Sequence, residues 1–189
     1  MKRIKTPLLL QLEITECGAA SLGIILEYFG KVVPLTALRS ACGVSRDGVK
    51  ASNIVKAARS YGLQTKGLKV SLEEVRNLDF PFVVFWDFNH FLVVEGIDQS
   101  KDLVYLNDPA HGHRKVTMAE FDQGYTGVAL TFEPGPEFIK GGERPSLIKA
   151  VHQRLQHSGT AIHHLLSAGL LLTVPSLVLP AFTQIFLDR

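Results

Sequence analysis

Apolar residues in the first third of the chain recur at the spacing of amphipathic helices. One such run, residues 17–29, stops at Gly30, and a proline-led run at 34–42 predicts a second helix. A third helix is predicted at 52–61, with Ser52 as its N-cap. The first part of the chain is therefore predicted to be mainly helical.

From residue 63 onward the pattern changes to short runs rich in β-branched and aromatic residues, separated by turn residues. The runs that predict strands are 63–70, 80–88, 92–97, 103–107, 114–117 and 127–132. Ser71 and Glu74 form the capping-box pattern of a short helix that reaches about residue 78, and 118–123 predicts a helical turn. Helices followed by a small antiparallel sheet indicate the α+β fold class.

The globular pattern ends at Pro134-Gly135-Pro136, and the sequence divides into three predicted segments. Residues 1–136 form a globular domain, and residues 137–163 form a linker with an amphipathic helix at 146–157. Residues 164–189 form the third segment, which is predicted to be a transmembrane helix.

The membrane prediction rests on residues 165–182, which contain no charged side chain. A bilayer is crossed by about 20 mostly apolar residues, although Pro175 and Pro180 would kink such a helix. The basic residues before this stretch are Lys140, Arg144, Lys149 and Arg154. By the positive-inside rule they place the globular domain in the cytoplasm. A buried core helix or hairpin of a soluble protein is the alternative.

The composition argues against several classes of protein. The chain has 189 residues, a formal charge of +2 and no basic block with interleaved aromatic residues, which argues against nucleic-acid binding. The basic start of the chain is not followed by a long apolar run or a small-residue cleavage site, so a signal peptide is not predicted. Only Cys17 and Cys42 are cysteines, which is too few for a disulfide framework, and Cys42 is interpreted as a packing residue.

Cys17 lies where a turn leads into the first predicted helix. Unpaired backbone N–H groups and the positive end of the helix dipole favour a thiolate there, although the charge of Glu16 opposes this effect. Gln11 lies just upstream, where its side-chain amide can donate a hydrogen bond to an oxyanion. Cys17 is therefore a candidate nucleophile that needs a base.

The base and its orienting group are predicted in the β-rich half, at His90 and Asp108. The runs that carry them are joined by the polar turn 98–102, which favours a β-hairpin. If Ile97 pairs with Leu103, Asp108 falls opposite Leu92, on the same face as His90. A carboxylate could then hold one imidazole nitrogen while the other faces a thiol, as in a Cys-His-Asp triad.

The two histidines of His111-Gly112-His113 resemble a metal pair. No cysteine accompanies them, and the nearby carboxylates have other predicted roles, so they are interpreted as part of a polar loop. Neither a metal nor a cofactor is predicted for this domain.

Several stretches together make the sequence resemble the double-glycine leader peptidases, family thirty-nine of the cysteine peptidases. In chain order they are Gln11 to Cys17-Gly18-Ala19-Ala20-Ser21-Leu22, Asp47-Gly48, Ala57-Ala58-Arg59-Ser60-Tyr61-Gly62-Leu63, Asn89-His90-Phe91-Leu92-Val93-Val94, Asn107-Asp108-Pro109-Ala110 and Thr126-Gly127-Val128-Ala129-Leu130. One departure is Glu16, where the family more often has aspartate.

The resemblance implies a papain-like fold, with Cys17 as nucleophile, His90 as base and acid, Asp108 as orienting group and Gln11 as oxyanion donor. It implies cleavage of a bacteriocin-like precursor peptide after Gly-Gly, in the N-terminal domain of an ABC exporter. The expected partners are the precursor, the bacterial cell membrane and the other parts of a homodimeric exporter. ATP binding would need an ATPase domain, since this chain has no phosphate-binding loop.

Two other functions fit parts of the pattern. A docking domain that binds leaders without cutting them is the first, although such degenerate domains lack the cysteine, whereas Cys17 is present here. A papain-like transglutaminase or acyltransferase is the second, and a competing amine acceptor would distinguish it from a hydrolase.

Overall fold

The computed structural model describes residues 2–144, residue 151 and residues 159–187. The chain divides into two compact units, Met1–Arg144 and Pro145–Arg189. The first unit contains both the helices and the sheet, so the candidate chemistry lies there.

Three helices open the first unit: α1 (Cys17–Tyr28), α2 (Leu35–Cys42) and α3 (Ala51–Ser60). Helix α1 is buried from Cys17 through Leu26, because small residues alternate with leucine and isoleucine around its whole circumference. The small residues allow neighbouring side chains to approach the backbone of α1 closely. A Cβ at Gly18 would overlap the side chains of Val49 and Ile54. A helix buried all round holds its first residue in a fixed place.

The sheet has seven strands in the order β2-β7-β3-β4-β5-β6, with β1 paired to the end of β4. The strands are β1 (Lys2–Arg3), β2 (Leu63–Lys69), β3 (Phe82–Trp86), β4 (His90–Asp98), β5 (Leu103–Asp108), β6 (Gly112–Thr117) and β7 (Tyr125–Pro134). All pairings between strands are antiparallel. The α+β class with an antiparallel sheet is confirmed.

Hydrophobic clusters cover both faces of the sheet, and alternate strand residues supply them. Val83 and Val93 join the cluster that α1, α2 and α3 cover. Val84 and Leu92 join the cluster on the other face. Two short helices, α4 (Leu72–Val75) and α5 (Met118–Gly124), contribute to that second cluster. Strand β4 is consequently buried along almost its whole length, which gives His90 a rigid support.

Local sequence signals correspond to the structure unevenly. The capping box of Ser71 and Glu74 is confirmed, although α4 ends earlier than predicted. The predicted N-cap Ser52 is wrong, because the helix begins at Ala51 and Lys50 occupies the cap without a side-chain hydrogen bond.

The predicted hairpin of β4 and β5 is confirmed, but the pairing of Ile97 with Leu103 is wrong. Ile97 pairs with Val104, and a β-bulge at Glu95 shifts the register by one residue. Beyond the bulge Val93 pairs with Asn107, so Asp108 still falls beside Leu92. The different pairing of Ile97 and the bulge at Glu95 therefore cancel at the end of the hairpin that carries His90.

The second unit contains helix α6 (Gly159–Leu187), which includes Pro175 and Pro180. Across the ranges that the structure describes, no helix has the length and apolarity needed to cross a membrane, so the predicted transmembrane helix is not confirmed. The amphipathic helix predicted at 146–157 lies outside the described residues except for Val151.

Candidate active site

Cys17 is the first residue of α1 and follows a 3-10 turn, Ile14–Glu16. Its side chain is nearly buried, with 4% of the residue exposed. In the first turn of a helix the backbone N–H groups have no intrahelical partners. Cys17 therefore lies at the N-terminal end of a helix dipole, at a position that the buried helix holds in place.

Glu16, directly before Cys17, is fully buried and its carboxylate is turned toward the backbone. Oε2 accepts hydrogen bonds from the N–H groups of Leu12 at 2.8 Å and Glu13 at 3.0 Å. Oε1 lies 3.0 Å from Nε of Arg39 on α2. Glu16 thus ties the segment after Gln11 to the start of α1. Sequence reasoning did not predict this role of Glu16, because its ion-pair partner comes from a different helix.

His90 and Asp108 meet as the hairpin geometry predicts. Nε2 of His90 lies 2.7 Å from Oδ1 of Asp108, whose residue is only 1% exposed. His90 also interacts with Cys17, which contributes to the raised pKa of His90. The structure therefore brings His90 into hydrogen-bond contact with Asp108 and groups both with Cys17 at one site.

The pKa of His90 is raised well above its ordinary value. Burial by itself lowers the pKa of His90, but the hydrogen bonds with Asp108 and Cys17, and the charges of both, raise it to about 9. The imidazole is therefore protonated at neutral pH, which gives the site a proton donor beside the sulfur.

Asp108 has further partners that keep it ionised. Burial opposes ionisation, yet hydrogen bonds from His90 and from the N–H of Ala110 hold the pKa of Asp108 well below its usual range. The Ala110 contact is 2.9 Å long, and Nδ1 of His111 lies 3.2 Å from Oδ2. Nε of Arg114 also lies 3.2 Å from Oδ2, as an ion-pair contact rather than an aligned hydrogen bond. Sequence reasoning did not find Arg114, because its link to Asp108 depends on the pairing of β5 with β6.

Gln11 is anchored beside the same strand end. Its backbone N–H donates to the carbonyl oxygen of Pro109 at 2.9 Å, one residue after Asp108. Its side-chain Oε1 is buried and has no hydrogen-bond partner among the described residues. The unpaired atom is an acceptor, whereas the predicted role as oxyanion donor would use the side-chain NH₂ group.

A cleft of about 300 Å³ opens onto Cys17. Its lining is mainly apolar and is formed by Ile14, Thr15, Cys17, Arg46, Asp47, Gly48, Val49, Phe85, Phe88, Asn89 and Phe91. Of the two aromatic residues that closely precede His90, Phe88 lines the cleft, whereas Trp86 is packed in the second core cluster. A larger cavity of about 530 Å³ lies elsewhere, around Arg76 and Asp98, and contains none of the candidate catalytic residues.

The histidines of His111-Gly112-His113 contact different carboxylates. His111 faces Asp108, whereas Nδ1 of His113 lies 3.1 Å from Oε1 of the buried Glu95. Within the described part of the chain, no three His, Cys, Asp or Glu side chains are grouped as a metal site would require.

Cys42 lies in the core formed by α1, α2 and α3 and is fully buried. Neither cysteine forms a disulfide. Burial raises the pKa of the Cys42 thiol to about 11, so this cysteine is a poor nucleophile at neutral pH.

Comparison with known proteins gives a consistent result. The family profile described as Peptidase C39 family matches residues 5–137. A probable microcin-H47 secretion/processing ATP-binding protein, MchF of Escherichia coli, is 29% identical over 99% of this chain. The transport/processing ATP-binding protein ComA of Streptococcus pneumoniae is 30% identical over 94% of this chain.

The chain spans about a quarter of the length of these curated relatives, 27% of the first and 26% of the second. Among solved structures, a double glycine motif protease from an AMS/PCAT transporter, crystallised with the leader peptide, superimposes with a TM-score of 0.67. It is 47% identical, and the match covers 70% of this chain and 94% of that one. The shared region is the unit that carries Cys17, His90 and Asp108.

Proposed function

The chain belongs to the Peptidase C39 family, and we propose that it cleaves the leader of a bacteriocin-like precursor peptide after a Gly-Gly motif. The observation that carries this proposal is the grouping of Cys17, which lines the cleft, with His90 and its hydrogen-bonded partner Asp108. A sulfur nucleophile, a proton donor and an orienting carboxylate are the groups that acyl transfer requires.

In the proposed reaction the Cys17 sulfur, as the thiolate, attacks the carbonyl carbon of the second glycine and forms a tetrahedral oxyanion. The side-chain amide of Gln11 and the backbone N–H of Cys17 donate hydrogen bonds to that oxygen. The C–N bond then breaks, and protonated His90 gives its proton to the leaving amine. The leader is left as a thioester on Cys17.

Water completes the cycle. Neutral His90 removes a proton from a water molecule, whose oxygen attacks the thioester carbonyl. The C–S bond breaks, the leader leaves as a carboxylic acid and the Cys17 thiolate is restored. Asp108 keeps the imidazole in place throughout and stabilises its protonated form, as a buried carboxylate does in other triads.

The wider setting is also a proposal. The relatives are named as secretion/processing and transport/processing ATP-binding proteins, which supports a place for this domain in an ABC exporter. We expect the peptidase on the cytoplasmic side of the bacterial cell membrane and a homodimeric exporter. Peptide cleavage itself needs no cofactor, whereas export would use ATP bound by another part of the exporter.

The test uses the purified chain and a synthetic helical leader that ends in Gly-Gly, followed by a short cargo. Mass spectrometry of the products is expected to show cleavage after the second glycine. Cys17→Ala should abolish cleavage, whereas the matched variant Cys42→Ala should retain it because Cys42 does not line the cleft. If all three proteins bind the leader and none cuts it, a non-cleaving docking domain replaces this proposal.

A further inference from the structure

The turn between β3 and β4 has an unusual backbone. Asp87 has φ of 47° and Phe88 has φ of 57°, and the N–H of Asn89 donates to the carbonyl oxygen of Trp86 at 3.1 Å. Two central residues with positive φ define a type I′ hairpin turn, in which Asn-Gly is strongly preferred. A bulky residue at positive φ is an outlier that carries a steric cost.

Burial of the side chain does not offset that cost, because Phe88 is 79% exposed. Among the described residues, its aromatic ring contacts that of Phe85 edge-on, with ring centroids 6.3 Å apart. Glycine would suit the backbone better, and a polar residue would suit the exposure better. Strained residues of this kind are typical of sites where the side chain contacts a ligand.

The position of Phe88 indicates which ligand this is. Phe88 lines the cleft together with Cys17, and it lies two residues before His90. Ile14, three residues before Cys17, also lines the cleft and is 88% exposed. Two large exposed apolar side chains therefore border the cleft, one on the segment that leads to the nucleophile and one on the turn that leads to the base.

We propose that Phe88 is a specificity-determining residue whose ring packs against the two glycines of the leader, in the cleft that Ile14 also lines. A glycine backbone has no Cβ and can lie flat against an aromatic face, whereas a Cβ on that side would collide with the ring. Phe88 thereby selects glycine before the scissile bond. This inference rests on the proposed function, because it assigns a residue to the recognition of that substrate.

The test compares Phe88→Gly with wild type on the Gly-Gly peptide and on peptides in which either glycine is alanine. We expect kcat/KM on the Gly-Gly peptide to fall about tenfold or more, the usual effect of losing apolar contact in a pocket. We also expect the preference for glycine over alanine to shrink several-fold. Phe88→Tyr keeps the ring and should retain both properties.

Thermal unfolding separates this role from a structural one. Because glycine relieves the positive φ, Tm of Phe88→Gly should stay within about 2 °C of wild type or rise. Asp102→Gly is the matched control, since Asp102 has φ of 53°, is exposed and lies beyond the end of β4 that is remote from His90. It should behave like Phe88→Gly in stability and like wild type in cleavage.

An unchanged preference for glycine in Phe88→Gly overturns the inference, whatever its absolute rate, while wild-type cleavage leaves the proposed function standing. A clear loss of stability in Phe88→Gly also overturns it, because the side chain would then support the fold. If wild type leaves the Gly-Gly peptide intact, the proposed function and this inference fail together.

Discussion

The strength of the contact between His90 and Asp108 makes Asp108→Asn the most informative substitution in this site. Asparagine keeps the size of the side chain but removes its charge. The present carboxylate is buried and lies 2.7 Å from the imidazole. Its hydrogen bond is the largest of the contributions that raise the pKa of His90 against the opposing effect of burial.

The magnitude follows from that pKa. A rise from the ordinary value of 6.5 to about 9 corresponds to a preference of about 3 kcal/mol for the protonated imidazole. Asp108 and Cys17 share this effect, so removing the Asp108 charge should cost about 1–2 kcal/mol of it. The pKa of His90 should therefore fall by about one unit or more in the variant.

The assay is kcat/KM for the Gly-Gly peptide as a function of pH, which reports the ionisations of the free enzyme. In wild type the rate should decline as pH rises through about 9, where His90 loses its proton. In Asp108→Asn this alkaline limb should move to lower pH, and the maximal rate should fall about a hundredfold or more.

The free energy of unfolding should also depend on pH, through both His90 and Asp108. Since the pKa of His90 is raised on folding, its stabilising contribution is complete below about pH 6.5 and is lost as pH rises through about 9. Asp108 contributes in the opposite range, because its lowered pKa makes its stabilisation present above about pH 4 and lost in acid. The free energy of unfolding, measured with denaturant at each pH, should reveal both trends.

Asp98→Asn is the matched control for this substitution. Asp98 is also a buried carboxylate of the sheet, but it accepts hydrogen bonds from Ser100 at the far end of β4. Its replacement should leave the pH profile of cleavage unchanged. An alkaline limb and a maximal rate in Asp108→Asn that equal those of wild type would refute the reasoning, since the carboxylate would then not control His90.

Two further predictions follow from the surroundings of the site. Iodoacetamide near neutral pH should label Cys17 and not Cys42, whose thiol is fully buried with its pKa raised to about 11, and peptide mapping that found label mainly on Cys42 would contradict this. Glu16→Gln should lower the free energy of unfolding by about 1–3 kcal/mol and reduce kcat, because it removes the buried charge that pairs with Arg39. Glu13→Gln, which alters the exposed contact with Arg39 at 3.4 Å, should change stability by less than about 1 kcal/mol, and equal losses in the two variants would count against a special role for Glu16.

Local sequence signals were sufficient for most secondary structure. Apolar periodicity predicted α1 and the strands, and the Ser71 capping box predicted the start of α4, because these signals act between residues close in the chain. The hairpin of β4 and β5 was equally accessible, since two runs of strand residues flank one polar turn. The position of Ser52 was misleading, because a good capping residue inside a helix looks the same in sequence as one at its start.

The arrangement of strands was not accessible in the same way. Strand β7 lies between β2 and β3, although it follows β6 in the chain, and β1 extends the sheet beside the end of β4. The bulge at Glu95 changes the register of the hairpin by one residue. Glu95 is buried there and accepts hydrogen bonds from Thr6, which lies 89 residues earlier in the chain. A contact between residues so far apart in the chain produces no periodic pattern in the sequence.

The sequence by itself therefore determined the fold class, the residue types available for catalysis and the hairpin end at which His90 and Asp108 meet. Only the tertiary structure decided how those groups are held and charged. Arg114 pairs with Asp108 across neighbouring strands, and Glu16 pairs with Arg39 of another helix. The carboxylate is buried in both ion pairs. The physical reason is that periodicity and capping are local interactions, whereas burial and ion pairing are set by residues that meet only when the whole domain is folded.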